Sequence, residues 1–298
     1  MMVDSIISAK KINESDVVIL LAGYEKTVSS KKGASKGPKK VLEMLDSKIE
    51  FFDRTYKTIP SNKIKIGEKN LGIMKFFSPE KVYKKITLEC EKLLKNNKFI
   101  FLLGGEHSVS LGHLKALTTK INPKEVTIVQ IDAHCDLRDN DSDYSKKPSK
   151  FAHSCVARRA HELGYNLIQI GIRTYSIDEY NYFSDPQNNI TVFEWGVGKK
   201  IPTIEEIIGS IKTKYVYITI DIDGFDPKYM PGTGTPVQGG LDWWYGIELI
   251  ENIIDKKDMI GADIVEVSPV KDSVLTEYGA AQLCYTMIAH KFRDKLIS

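Results

Sequence analysis

The chain has 298 residues, 42% of them hydrophobic, which is enough for a large core. Its formal net charge is +3 with 27% charged residues, and the scattered lysines form no aromatic-interleaved basic stripe that would argue for nucleic acid. No run approaches the ~18 apolar residues of a membrane span, and Asp4, Lys10 and Lys11 around a short apolar patch do not make a signal peptide.

Six apolar, β-rich runs read as strands in chain order: "VVILLAG" (17–23), "KFIFLLGG" (98–105), "EVTIVQIDAH" (125–134), "NLIQIGIR" (166–173), "YVYITIDID" (215–223) and "MIGADIVEVSP" (259–269). They are almost continuously apolar, as parallel strands buried on both faces are. Helical patterns lie between them. Residues 78–97 offer Ser78 as cap, Pro79 in the first turn, and Ile86, Leu88, Leu93 and Leu94 among the apolar positions. Residues 203–212 offer Thr203 and Glu206 as a capping box, and 273–296 reads as a long terminal helix. This alternation predicts an α/β fold: a three-layer α/β/α sandwich around a mostly parallel sheet. No repeat, low-complexity tract or linker divides the chain, so 1–298 is expected to be one domain. The four cysteines, Cys90, Cys135, Cys155 and Cys284, show no C-x-x-C spacing, which fits a reduced, cytoplasmic enzyme.

In such sheets function gathers at the carboxyl ends of the strands. Here those ends read "GGEHS", "DAHCD", "DIDGFDP" and "EVSP". In "VTIVQIDAHCDLRD" (126–139), Asp132, His134 and Asp136 fall at every second position. If the strand continued to Asp136, these three would share one face, about 7 Å apart. Asp221 and Asp223 repeat the spacing, and His107 follows the strand ending at 105. Four carboxylates so close would repel and resist burial unless a cation sat among them. Arg138 and Arg173 are too few to neutralise them. The oxygen-rich set with two imidazoles suits two divalent ions, Mn²⁺ rather than structural Zn²⁺. Such ions, roughly 3.5–4 Å apart, lower the pKa of a shared water toward neutrality and make it a nucleophile for hydrolysis. Cys135 faces away from His134 on an extended strand and is set aside as a ligand.

At these residues a resemblance emerges. "GGEHSVSLG" (104–112), "DAHCDLRD" (132–139), "FAHSCVARRA" (151–160), "IDIDGFDP" (220–227), "GTGTPVQGGL" (232–241) and "EVSP" (266–269), with "GASKGPKKV" (33–41) upstream, resemble the ureohydrolase family of arginases and agmatinases, in the family's order. The resemblance implies metal ligands His107, Asp132, His134, Asp136, Asp221 and Asp223. Asp132 and Asp221 would bridge, His107 and Asp136 would complete one ion's set, and His134 and Asp223 the other's. It implies two Mn²⁺ per subunit, a bridging hydroxide, hydrolysis of a guanidinium carbon to urea and an amine, and a homo-oligomer, trimer or hexamer.

Residue chemistry fits these roles. Asp136 is placed to take the proton of the attacking water. Glu266, a carboxylate between Val265 and Val267, either pairs with a protein arginine or clamps a substrate guanidinium bidentately. His153 in "FAHSC" matches the family histidine that passes a proton to the departing amine, a role suited to a near-neutral imidazole. Thr235 and its Gly-rich loop are expected to shape the pocket wall. His113, His161 and His290 are assigned no role.

The substrate tail is less determined. Arginases carry an Asn two residues after the last Asp of D-A-H-x-D, where this chain has Arg138. "DLRD" resembles the agmatinase branch, which points to agmatine hydrolysis to putrescine in polyamine biosynthesis. Asp139, Asp141, Asp143, Asp178 and Glu179 are candidates to meet a distal amine, or are merely an acidic surface. Arg138 could instead meet a carboxylate, which keeps guanidinobutyrase, formiminoglutamase and arginase activities as alternatives. A non-catalytic binding protein would be suggested by missing ligands, and none is missing. A dinuclear phosphatase would require phosphate clamps that these motifs lack.

Overall fold

The structure is a computed structural model that describes residues 5–297; Asp4 of the N-terminal patch lies outside them. Eight strands form one sheet: β1 (Val17–Gly23), β2 (Ile66–Ile73), β3 (Phe99–Gly104), β4 (Val126–Ile131), β5 (Asn166–Ile172), β6 (Thr191–Glu194), β7 (Tyr215–Asp221) and β8 (Asp258–Val265). Their order is β2-β1-β3-β8-β7-β4-β5-β6, and every neighbouring pair is parallel. All carboxyl ends therefore reach one rim, and β3, β8, β7 and β4 stand side by side at its centre.

Helices cover both faces. On one lie α1 (Gly37–Ser47), α6 (Ile204–Ser210), α7 (Trp243–Lys256), α8 (Leu275–Lys291) and α9 (Arg293–Ile297). On the other lie α2 (Pro79–Lys95), α3 (Ser110–Leu117), α4 (Val156–Glu162) and α5 (Ile177–Ser184). Strand alternation divides the core between them. In β1, Val17, Ile19 and Leu21 face the first helix layer and Val18, Leu20 and Ala22 the second. Each of these fully buried Val, Ile and Leu side chains contributes roughly 1.5–3 kcal/mol.

The expected elements end earlier than their apolar runs. The strand over 125–134 stops at Ile131, that over 215–223 at Asp221, and that over 259–269 at Val265. The terminal helix breaks at Phe292 into α8 and α9. Ser78 caps α2 by accepting the Lys81 N–H, and Thr203 and Glu206 form the capping box of α6. Leu88 of α2 points outward, 58% exposed.

A row of polar side chains crosses the buried sheet just below the rim. Asp263 of β8 pairs in register with Thr219 of β7, Thr219 with Gln130 of β4, and Gln130 with Gln169 of β5. Polar groups so deep in a parallel sheet require partners. Gln169 Nε2 donates to Gln130 Oε1 at 2.8 Å, and Gln130 Nε2 donates to Asp132 Oδ2 at 2.8 Å.

Candidate metal centre and active site

The rim residues are positioned where the four central strands end. Beyond β3 the chain passes through Gly105, where a Cβ would lie 2.1 Å from the Tyr24 carbonyl oxygen. Only glycine allows this close approach, which brings the loop after β1 against "GGEHS". His107 follows. Beyond β4 the backbone does not stay extended, because Asp136 has φ +52° in the left-handed region. The face-sharing premise therefore fails for 132–136, and the bend turns Asp136 toward His107. Asp221 and Asp223 likewise do not sit on one continued strand. The chain enters a short 3₁₀ turn at 222–224, and Asp221 Oδ1 accepts the Asp223 N–H at 3.0 Å. Beyond β8, Glu266 has φ +62°.

Six of the expected residues converge. His107 Nδ1 lies 3.2 Å from Asp132 Oδ2, 3.1 Å from Asp136 Oδ2 and 3.7 Å from Asp221 Oδ2. His134 Nδ1 lies 3.5 Å from Asp132 Oδ1 and 3.1 Å from Asp223 Oδ2. Two close donor groups result, His107–Asp132–Asp136 and Asp132–His134–Asp223, and Asp132 belongs to both. Its two oxygens face different imidazoles. Asp221 approaches His107 from the side but joins neither close group.

The donor chemistry fits divalent cations. His107 Nδ1 is buried and has no hydrogen-bond partner among the described residues, although carboxylate oxygens surround it. The ring's other nitrogen, Nε2, lies 2.8 Å from Thr219 Oγ1, whose proton goes to Asp263 Oδ1 at 2.6 Å. The Thr219 hydroxyl can therefore only accept from His107 Nε2, so Nδ1 is the nitrogen that gives up its proton when a cation binds. The cluster also draws positive charge. Burial pulls His107 down, but Asp132 and Asp136 outweigh it and hold the imidazole well above its ordinary value. Burial, then the charges of Asp223, Asp132 and Glu266, push the Asp221 carboxyl well up.

Protein cations do not fill this role among the described residues. Arg173 directs its guanidinium to main-chain carbonyls, those of Gly171 at 2.8 Å, Asp223 at 2.6 Å and Val237 at 2.7 Å. Arg138 pairs with Asp143 and, at 3.7 Å, with Glu179. Glu266 has no arginine partner among the described residues.

Above the cluster opens a cavity of about 270 Å³, lined by His134, Asp136, His153, Asp221, Thr235 and Glu266. Glu266 Oε1 accepts the His107 N–H at 2.8 Å, which leaves Oε2 free. Burial, then the charge of Glu106, raises its carboxyl well above the usual range. Thr235 does more than shape the wall, because its hydroxyl donates to Asp223 Oδ2 at 3.1 Å. Burial, then the neighbouring His134 and His107, pushes His153 down to about 4, below the near-neutral value expected. His153 therefore rests neutral at pH 7.

Of the five acids proposed for the mouth, only Glu179 lines this cavity, and its oxygens already accept from Leu137 N, Ser176 N and Ser176 Oγ. Asp139 pairs with Arg159 and Lys150, Asp143 with Arg138, and Asp178 is exposed on α5. Asp141 is buried and accepts the Ser149 N–H at 2.6 Å. Cys135 is buried and belongs to neither donor group. His113, His161 and His290 lie in hydrogen bonds to Tyr217, Tyr182 and Tyr56.

Sequence reasoning missed Thr27, Glu106, Gln130, Thr219 and Asp263. Gln130 and Asp263 carry the signal used for Glu266, a polar group inside an apolar strand. Thr27 carries none.

The sequence model of the arginase family matches residues 15–289. The chain is 33% identical to the N(1)-aminopropylagmatine ureohydrolase of Synechocystis sp., covering 93% of this chain and 89% of that protein. It is 31% identical to the agmatinase of Pyrococcus horikoshii, covering 95% and 94%. Among solved structures, the agmatine ureohydrolase of Thermoplasma volcanium superposes with a TM-score of 0.81 at 29% identity, covering 99% of this chain and 96% of that one.

Proposed function

The chain belongs to the arginase family, and on that basis we propose that it hydrolyses agmatine to putrescine and urea, as one ureohydrolase domain with two Mn²⁺ per subunit. The observation that carries this reading is the position of Asp132, whose two oxygens face His107 and His134 separately. His107 and Asp136 would hold one ion, His134 and Asp223 the other, and Asp132 and Asp221 both. Bound there, the ions supply Lewis acidity that lowers the pKa of a water toward neutrality and makes it nucleophilic.

The chain's own residues perform the rest. Glu266 Oε2 accepts from the substrate guanidinium while Oε1 stays fixed by the His107 amide, so the carbon is held over the cluster. Asp136, which lines the cavity, accepts a proton from the attacking water. Thr235 keeps Asp223 oriented. His153, neutral at rest, takes up a proton released from the attacking water and passes it to the departing nitrogen. One C–N bond breaks and one C–O bond forms: guanidinium plus water gives urea plus a protonated amine, and charge is conserved.

The amine tail is favoured because the P. horikoshii relative is named for agmatine and because Arg138 is already matched by Asp143 and Glu179. A longer tail is a second reading. A cavity of about 420 Å³ adjoins the first across Val28 and Tyr144 and carries the acids Glu80 and Asp141 beside Lys26 and Lys147. The Synechocystis relative is named for aminopropyl-extended agmatine. Guanidinobutyrase, formiminoglutamase and arginase activities rank below these. The resemblance also carries a homo-oligomer, trimer or hexamer. The free, buried cysteines support a reducing, cytoplasmic setting, and no described helix is long and apolar enough to cross a membrane.

The test is urea release by Mn²⁺-loaded protein from agmatine, N(1)-aminopropylagmatine, arginine and 4-guanidinobutyrate. Turnover is expected with the amine-tailed pair. Preference for 4-guanidinobutyrate would overturn the tail assignment, and no urea from any of the four would overturn the function.

A further inference from the structure

The loop after β1 places a threonine between a buried carboxylate and the pocket histidine. Glu106 is fully buried and accepts three hydrogen bonds: from Thr27 N at 2.8 Å, Thr27 Oγ1 at 2.6 Å and Ser108 Oγ at 2.7 Å. Burial raises the Glu106 carboxyl while these donors pull it back down; with Thr27 N, Thr27 Oγ1 and Ser108 Oγ all directed at its oxygens it serves as the acceptor, so the single proton of the Thr27 hydroxyl is committed to it. The two lone pairs of that hydroxyl oxygen remain, and both meet His153. The His153 backbone N–H donates to it at 3.0 Å, and His153 Nδ1 lies 3.4 Å away. Because Thr27 Oγ1 has no second proton to give, the Nδ1 contact exists only if Nδ1 carries the hydrogen. Nε2, which makes no hydrogen bond among the described residues, is then bare in a residue that lines the cavity.

We propose that Thr27, clamped by Glu106, is a positioning residue that fixes His153 in its Nδ1–H tautomer, with Nε2 presented to the substrate nitrogen. The two anchors come from different strand ends, the loops after β1 and β3, and Gly105 brings them together. A neutral histidine has two tautomers, and only one offers a lone pair at the nitrogen facing the reaction. Thr27 therefore acts through His153 and touches neither substrate nor metal. The catalytic consequence rests on the hydrolase reading above; the tautomer itself does not.

Two measurements test this. In protein with ¹⁵N-labelled histidine, loaded with diamagnetic Mg²⁺, imidazole ¹⁵N shifts report which ring nitrogen of His153 is protonated, with the His153→Ala spectrum giving the assignment. The Nδ1–H form is expected, and an Nε2–H form would overturn the proposal whether or not any guanidine is hydrolysed. The second is a double-mutant cycle on urea release. Thr27→Val should lower kcat roughly tenfold or more, part of the ~10²–10⁴-fold that positioned proton transfer supplies, with KM little changed. Thr27→Ser should restore kcat. In a His153→Ala background the same Thr27→Val change should have no further effect. Equal losses in both backgrounds would reduce Thr27 to a general structural part, and full activity in Thr27→Val would remove it from the mechanism. A wild-type protein that releases no urea would overturn the hydrolase reading, while the tautomer measurement still decides the relay.

Discussion

His107 Nε2 lies 2.8 Å from the Thr219 hydroxyl, and Thr219 in turn donates to Asp263. This relay sets which ring nitrogen of His107 is free. Thr219→Val or Asp263→Asn should therefore weaken divalent-ion binding by about 10- to 100-fold, the usual effect of losing a partner behind a ligating histidine. Calorimetric Mn²⁺ titration of the folded variants measures it. Unchanged affinity in both would show that the relay does not orient the ring.

Glu266→Gln keeps an oxygen for the His107 amide but loses the charge that meets a guanidinium. Metal content should be unchanged, while kcat/KM falls about 10- to 100-fold, the worth of one charge-assisted hydrogen bond. Elemental analysis and urea release on the same preparation separate the two effects. Full activity in this variant would refute the clamp.

His290 and His113 should give stability opposite pH dependences. Burial pulls His290 down, but Glu251 and Asp255 outweigh it and raise it above 6.5. Folded His290 therefore holds its proton more tightly than the unfolded chain does. Its contribution is complete below pH 6.5 and is lost as pH rises through the raised folded value. Burial pushes His113 down to about 3 from 6.5. Its contribution is complete above pH 6.5 and is lost as pH falls from there toward 3. In urea melts, the stability gap to His290→Gln should shrink toward alkaline pH, and His113→Phe should flatten the acid slope. The reverse pattern in either variant would contradict the partners assigned.

Gly105→Ala places a methyl 2.1 Å from the Tyr24 carbonyl oxygen. It should destabilise the fold by about 1–3 kcal/mol and slow turnover, because the loop carrying Thr27 must move. Thermal melts and urea release measure the two effects. A variant as stable as the parent would show that this approach is not tight.

The central strands were legible because both their faces are buried, so β1, β3, β4, β5, β7 and β8 read as apolar runs. The edges were not. β2, "IGEKNLGI", exposes Glu68 and other polar positions at the sheet margin, and β6 is only four residues long. The six candidate ligands were picked out from strand-end composition and family motifs, and the fold brings them together, but strand alternation was the wrong reason. The chain leaves the sheet at Ile131, and the positive φ of Asp136 brings its carboxylate to His107. Thr27 was invisible because its role depends on two loops meeting across the rim, which no local pattern encodes. Arg138 was visible, but its partners Asp143 and Glu179 emerged only from the fold.

The central claim is that Asp132 belongs to two cation sites at once. Mn²⁺ stoichiometry by elemental analysis after equilibrium dialysis, on wild type and Asp132→Asn side by side, tests it most directly. Two ions per chain are predicted in the wild type and fewer than one in the variant. One ion or none in the wild type, or two retained without the Asp132 carboxylate, would contradict it.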